Sequence, residues 1–409
     1  MPQGRGAIRV RRAHPGLDFR LVAGQLIAVI GGRGTFGARI VRSLACHREL
    51  DVLVVGRSPA SSVAATSERD PLRTRYLCAD IGNRNQVDGL LAMGPRVIVD
   101  TAGPFQERDY TLATACAERG IHFVDIADGP GYVAGIVVLD ALARANGALV
   151  VSGASTVPAV STAIAADLAP DTAAVVDLEV GISPAQRSPR GDATVRSVLR
   201  SCGQPLATID GAVRDVGWSG LVSHCYPSPV GRRWLSNVDT PERLLWPRRF
   251  TALESLSVRA GWELVPLHLG LSALAWLVRL GVLRRLDTWA GALSRIAAAC
   301  DRWGSDAGAM HVTLRTRAGA DRGELRTGTL VALRGDGPQI PGTPAALVVK
   351  KLLALPGYAP IGSRGAQACV DLFTLPELMH ELRDCAVSYR TQTRVAADVQ
   401  RTSRKKAIC

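Results

Sequence analysis

One heptapeptide constrains the fold more than any other feature of the chain. Leu26-Ile-Ala-Val-Ile30 is a short apolar run of strand character, and Gly31-Gly32-Arg33-Gly34-Thr35-Phe36-Gly37 follows it directly. Gly32, Gly34 and Gly37 give G-x-G-x-x-G, and residues 36–44 then have helical spacing. Strand, glycine turn and helix in that order make a dinucleotide cradle. The first glycine permits a tight turn, the second lets backbone approach a pyrophosphate, and the third lets helix pack on strand. Backbone N–H groups at the helix start, with Thr35 and Phe36 among them, face the phosphates.

The rest of the first 160 residues repeats the unit. Strand-like runs at 51–55, 75–79, 96–99, 123–126 and 149–151 alternate with helical runs such as 86–93, 110–119 and 132–146. Such alternation means a parallel sheet covered on both faces. Beyond residue 160 the alternation fails. Residues 174–180 read as a strand, and 310–317 with 324–333 as an antiparallel pair around a glycine-containing turn. All seven tryptophans fall between residues 218 and 303. They point to a second domain and to a substrate pocket, an interface or ordinary core packing.

The expected fold class is therefore α/β, a Rossmann-type parallel-sheet domain over 20–158 plus a mixed α/β substrate or dimerisation domain over 159–340. C-terminal helices over 341–390 are expected to pack back toward the first domain, with basic tails at 1–19 and 391–409. A chain of 409 residues, 47% hydrophobic, suffices for two cores.

The second strand is expected to end at Val54-Val55-Gly56-Arg57-Ser58. NAD enzymes place a carboxylate there for the ribose 2′-hydroxyl. Here Arg57 and Ser58 offer a cation and a hydroxyl, which suits a 2′-phosphate, so NADP is the expected cofactor. Asp80 and Ile81 close the third strand, where adenine is contacted. Ala102, Gly103 and Pro104 close the fourth, where small residues let the chain pass the nicotinamide ribose. Asp125, Asp128, Tyr132 and Ser155 follow the fifth and sixth strands and are the candidates for acid/base work, since ligands of open α/β sheets bind at strand C-termini. For Asp125 and Asp128, capping of turns is the competing role.

Absent motifs exclude several chemistries. None of the six tyrosines starts Tyr-x-x-x-Lys, and neither G-x-x-x-x-G-K-[ST] nor H-E-x-x-H occurs. The nine cysteines include no C-x-x-C, so no metal site is expected, and reduced thiols in a cytoplasm are. The net charge of +13 sits partly in the tails; with no zinc-finger spacing or aromatic-studded basic strand, no nucleic-acid partner is expected. The most apolar stretch is 264–283, interrupted by His268 and Arg279. It reads as a buried or subunit-interface helix of a homodimer, with peripheral membrane contact as the alternative.

The block Asp100-Thr-Ala-Gly-Pro-Phe105, Tyr110, Ala115-Cys116, Gly120-Ile-His-Phe-Val-Asp-Ile126 and Ser152-Gly-Ala-Ser-Thr-Val-Pro158 resembles the saccharopine dehydrogenase-like family over residues 25–165. The resemblance implies a Rossmann domain joined to a mixed α/β substrate domain. It also implies hydride transfer with a small-molecule substrate at a C–N (imine/amine) bond. Other branches imply enoyl (C=C) reduction of lipid-like or polyketide thioesters, and a non-catalytic NADP-binding scaffold or redox sensor is a third reading. The lysine-forming members use a Lys/His pair. Lysines stand here only at 350, 351, 405 and 406, which does not support that chemistry.

Overall fold

A computed structural model describes residues 24–58, 74–207, 215–317 and 323–395. The first half runs β1 (Gln25–Ile30), α1 (Gly37–Ala45), β2 (Leu50–Gly56), β3 (Thr74–Cys78), α2 (Arg84–Ala92), β4 (Val97–Asp100), α3 (Thr111–Glu118), β5 (His122–Asp125), α4 (Pro130–Gly135), α5 (Asp140–Ala145), β6 (Leu149–Ser152) and α6 (Ser161–Leu168). The second runs β7 (Val175–Ser183), α7 (Asp192–Ser201), β8 (Val222–Cys225), β9 (Arg232–Asn237), α8 (Glu242–Arg249), β10 (Ser255–Ala260), α9 (Val265–Arg279), α10 (Ala290–Ala299), β11 (Gly308–Thr316), β12 (Glu324–Ala332), α11 (Gln339–Leu352), β13 (Gly365–Ala368), α12 (Leu375–Glu381) and β14 (Val387–Val395).

The first sheet has the order β13-β6-β5-β4-β1-β2-β3 and is parallel throughout. Its inner strands β4, β5 and β6 are buried at every residue because both faces of the sheet are covered there. In β1, Ile27 and Val29 face one core while Ala28 and Ile30 face the other. Strand order reverses between β1 and β4, and ligands of doubly wound sheets bind at that crevice.

The second sheet, β14-β12-β11-β7-β10-β9-β8, is mixed, with β7 and β10 parallel and its other pairs antiparallel. Here alternation is visible: Leu178 and Val180 of β7 are buried in the main core, while Asp177 and Glu179 between them are half-buried. The main core runs without a break from β1 and α1 through α6 to the inner face of the second sheet.

The C-terminal section differs from the expected helices. α11 packs against α1, but β13 extends the first sheet and β14 pairs with β12 over nine residues. Residues 391–395, expected in a basic tail, lie in β14. Its sequence, Val-Ser-Tyr-Arg-Thr-Gln-Thr-Arg-Val, is polar because it forms the sheet edge, where charged and hydroxyl side chains face solvent. Residues 1–23 and 396–409 lie outside the described residues. The helix expected over 132–146 is broken into α4, a short 3-10 turn over Ile136–Leu139, and α5.

Helix α9 also differs from a buried helix. His268, Leu271, Ala275 and Val278 are its only buried residues, and Leu269, Trp276 and Leu280 stand in the open. No helix among the described residues is long and apolar enough to cross a membrane.

Candidate functional site

The C-terminal ends of β1, β2, β3 and β4 open into a cleft of about 700 Å³. Its floor is the turn between β1 and α1. Gly31 takes the left-handed conformation there (φ 71°), and its N–H donates to the Val55 carbonyl at 2.8 Å. A Cβ on Gly31 would meet Thr101 Oγ1 at 2.8 Å. A Cβ on Gly37 would stand 2.3 Å from the Gly31 carbonyl oxygen. Gly34 is exposed to the cleft. Gly32 turns away instead, toward Val41 and Val54, so its role is to let α1 sit close on β2. The tight-turn glycine is thus Gly31, one residue earlier than G-x-G-x-x-G implied. The regular spacing Gly31-x-x-Gly34-x-x-Gly37 was the signal for it.

Helix α1 begins at Gly37 with no side-chain cap, and Thr35, Phe36 and Gly37 line the cleft. An uncapped first turn of a helix leaves backbone donors and the positive end of the dipole for an anion. Arg57 stands on the wall at the end of β2, exposed, with no carboxylate partner among the described residues. Arg33 joins it from the glycine turn, its guanidinium 4.7 Å from the Tyr76 ring centroid. Tyr76 in turn donates its hydroxyl hydrogen bond to the Ser58 carbonyl. Ser58 is outside the cleft lining, so its backbone, through Tyr76, supports the arginine pair. Two cations with no carboxylate partner among the described residues suit a phosphate monoester.

Asp80 and Ile81 line the cleft past β3. The Asp80 carboxylate accepts from Gly82 N at 3.0 Å, which shapes the turn there. Ala102, Gly103 and Pro104 line it past β4. Ala102 N donates to Asp100 Oδ1 at 2.9 Å. Arg108, which the sequence reading did not single out, reaches into the same wall and pairs with buried Asp100 at 2.7 Å.

The four acid/base candidates separate. Asp128 and Ser155 line the cleft; Asp125 and Tyr132 do not. Asp125 is wholly buried, its Oδ1 accepting from Ala127 N, Ser152 Oγ and Gly153 N, each at 2.9 Å. It thereby ties the ends of β5 and β6 together. Burial raises its pKa to about 7 against those three hydrogen bonds. Tyr132 is packed between Phe105 and Tyr110, with ring centroids 5.7 and 4.9 Å away. Asp128 accepts from Gln106 Nε2 at 2.8 Å and from Ser197 Oγ at 2.9 Å. Burial holds its pKa above the usual carboxylate range, partly offset by the bonds from Ser197 and Gln106. Since Ser197 belongs to α7, the second domain positions this carboxyl.

A second cavity, of about 220 Å³, opens beside the cleft. Phe36, Thr156, Gly191, Thr194 and Pro341 line both. Its own lining is mainly apolar, with Ile182, Val195, Val198, Trp262, Met310 and Ile340 prominent. The charged groups present are already engaged. Arg190 pairs with Asp301 at 3.4 Å, and Glu263 accepts from Gln186 N at 2.7 Å and pairs with Arg233 at 3.3 Å. Of the tryptophans, Trp262 lines this cavity, Trp218 and Trp246 are core, and Trp276, Trp289 and Trp303 are exposed.

Among the described residues, one cluster has metal-ligand composition, Glu179, His224 and His311 on the outer face of the second sheet. None of the three lines the cleft or the cavity. The described cysteines are free thiols.

Residues 27–151 match the family model described as the saccharopine dehydrogenase NADP binding domain. No curated protein matches the sequence. Solved structures give distant likenesses. Aspartate semialdehyde dehydrogenase II from Vibrio cholerae is 12% identical, with 73% of this chain and 76% of that chain covered and a TM-score of 0.36. GenD2 from gentamicin A biosynthesis, solved in complex with NAD, is 15% identical over 78% and 72%, with a TM-score of 0.34. A Gfo/Idh/MocA family oxidoreductase from Vibrio cholerae is 14% identical over 75% and 78%, with a TM-score of 0.35.

Proposed function

From an NADP-binding domain of the saccharopine dehydrogenase type, we propose an NADP(H)-dependent oxidoreductase whose substrate is apolar. The observation that carries this reading is the shared wall. The nucleotide cleft and the apolar cavity meet at Phe36, Thr156, Gly191, Thr194 and Pro341, so a substrate in the cavity lies next to whatever the cleft holds. The glycine turn and the uncapped start of α1 fit a pyrophosphate, and Arg33 with Arg57 fit a 2′-phosphate. When bound, NADPH supplies a hydride from its nicotinamide ring.

The chain's own residues then have three tasks. The cavity orients the substrate by apolar contact and excludes water. The β4 turn, Ala102-Gly103-Pro104, presents no large side chain to the cleft. Asp128, fixed by Gln106 and Ser197 and with its pKa raised by burial, is the residue placed to hand a proton to the atom next to the one that takes the hydride.

The cavity lining favours reduction of a C=C bond in a lipid-like thioester over reduction of an amino-acid imine. An imine substrate of the latter kind brings a carboxylate, and no lining residue offers it an unpaired cation. A C–N bond remains compatible where the substrate lacks that carboxylate.

The test is NADPH oxidation with matched panels of enoyl thioesters and imines of increasing chain length. The expected result is turnover that improves with apolar length. Turnover confined to carboxylate-bearing imines overturns the apolar reading. Tight NADPH binding with no turnover on either panel supports the scaffold instead.

A further inference from the structure

The segment from Val265 to Trp303 has its polarity inverted. His268 of α9 is buried, with Nε2 3.1 Å from Ser236 Oγ and Nδ1 accepting from Trp262 N at 3.3 Å. Leu269, Trp276 and Leu280, spaced to share one helix face, are exposed. Around α10, Trp289, Ile296 and Trp303 repeat at seven-residue spacing and are 59%, 55% and 63% exposed. Nine of the thirteen exposed large hydrophobic residues described in the chain fall in this segment. Such a concentration marks an interaction surface.

Charge selects the occupant. The segment carries Arg279, Arg284, Arg285, Arg295 and Arg302 against Asp287 and Asp301. Both aspartates are already paired, Asp287 with Arg285 at 2.5 Å and Asp301 with Arg190 at 3.4 Å. Arg279 and Arg302 lie over Trp276 and Trp303 at 5.0 and 4.1 Å, so cation and indole are presented together. A second copy seated on this face would set arginines against arginines. An anionic bilayer complements both components, the indoles entering the headgroup boundary and the arginines meeting lipid phosphate.

We propose that α9, α10 and the turns flanking α10 form a docking surface for an anionic lipid membrane. The inner side of α10 borders the apolar cavity. Gln186, in the cavity lining, donates through Nε2 to the Ala297 carbonyl and to Asp301, each at 2.9 Å. α10 also packs on α7, which supplies Thr194, Val195 and Val198 to the cavity. A bilayer on the outer face of α10 therefore stands one helix away from the cavity, and passage of a dissolved substrate inward is the further step of the proposal. This last step rests on the apolar-substrate reading; the docking itself does not.

Cosedimentation of the full chain with phosphatidylcholine vesicles, with and without phosphatidylserine, reads the docking without any turnover. Binding is expected on the anionic vesicles and is expected to weaken with salt. The triple variant W276S/W289S/W303S is expected to lower that partitioning on the order of a hundredfold. NADPH affinity should be unchanged, which also shows that the variant is folded. Brominated lipid should quench tryptophan emission of the unaltered protein. Three results overturn the proposal: no association with anionic vesicles; equal association of the triple variant, which would place binding in the basic tails; or a dimer that the triple variant converts to monomer, which would make the face a self-interface.

Discussion

Arg57 shows what a single residue contributes to cofactor choice. Its place at the end of β2 was legible because the strand, the glycine turn and their separation are all local patterns. Arg33 was not singled out, although it stands in the glycine motif itself. Only the fold brings it over Tyr76 and onto the same wall as Arg57. Arg57→Asp is expected to weaken NADPH roughly tenfold to a hundredfold while sparing NADH, because a carboxylate can accept from ribose hydroxyls. Arg33→Ala should weaken NADPH too, and the double variant should lose less than the sum, since both cations serve one phosphate. Paired titrations at fixed ionic strength decide this; unchanged NADPH affinity in Arg57→Asp would remove the residue from the site. Asp125 makes the opposite case. Its strand-end position makes it a candidate acid with turn capping as the competing role, and burial with three hydrogen bonds on one oxygen gives it the bracing task. Its folded pKa, about 7, lies above the unfolded value, so its contribution is full below the unfolded pKa and is lost as pH rises through about 7. Asn keeps the accepting oxygen and cannot ionise. Asp125→Asn should therefore gain stability relative to the parent as pH rises from 4 to 8, approaching roughly 4 kcal/mol at the limit. Denaturant melts across that range measure it, and a flat difference would show that Asp125 does not titrate there.

At the scale of elements, the β1 turn separates two functions that one motif combines. A Cβ on Gly37 meets backbone on two sides, the Gly31 carbonyl oxygen at 2.3 Å and Gly32 Cα at 2.8 Å. Neither can move without opening the turn. A Cβ on Gly34 meets only the Gly31 carbonyl oxygen, at 3.2 Å, and otherwise points toward the cleft. Gly37→Ala is thus expected to cost about 1–3 kcal/mol of stability as well as NADPH binding. Gly34→Ala should leave the melting temperature nearly unchanged and still weaken NADPH. Equal melting shifts in the two variants would contradict this division. The buried parallel strands were readable because their apolar runs are continuous and flanked by turn residues. β14 was missed because an edge strand needs no apolar face. The break between α4 and α5 was missed because apolar spacing continues through the 3-10 turn.

For the whole molecule, the sequence indicated two domains and a composition shift toward tryptophan, but not where the domains meet. That boundary is set by long-range packing. α11 returns to α1, β13 joins the first sheet, and α7 brings Ser197 to Asp128 and Val198 to the cavity. No local pattern records such contacts. Their consequence can be tested through a residue that lines the cavity and not the cleft. Val198 is one. Val198→Trp would fill part of the 220 Å³ beside the shared wall while leaving the glycine turn, Arg33 and Arg57 untouched. NADPH affinity should stay at the parent value. KM for the longest accepted apolar substrate should rise roughly tenfold or more, and preference should move toward shorter chains. A loss of NADPH affinity equal to the loss for substrate would mean that α7 supports the cleft rather than the cavity. An unchanged chain-length profile would mean that the substrate is bound elsewhere. Only a substrate-selective defect agrees with a cavity that holds the acceptor against the nucleotide.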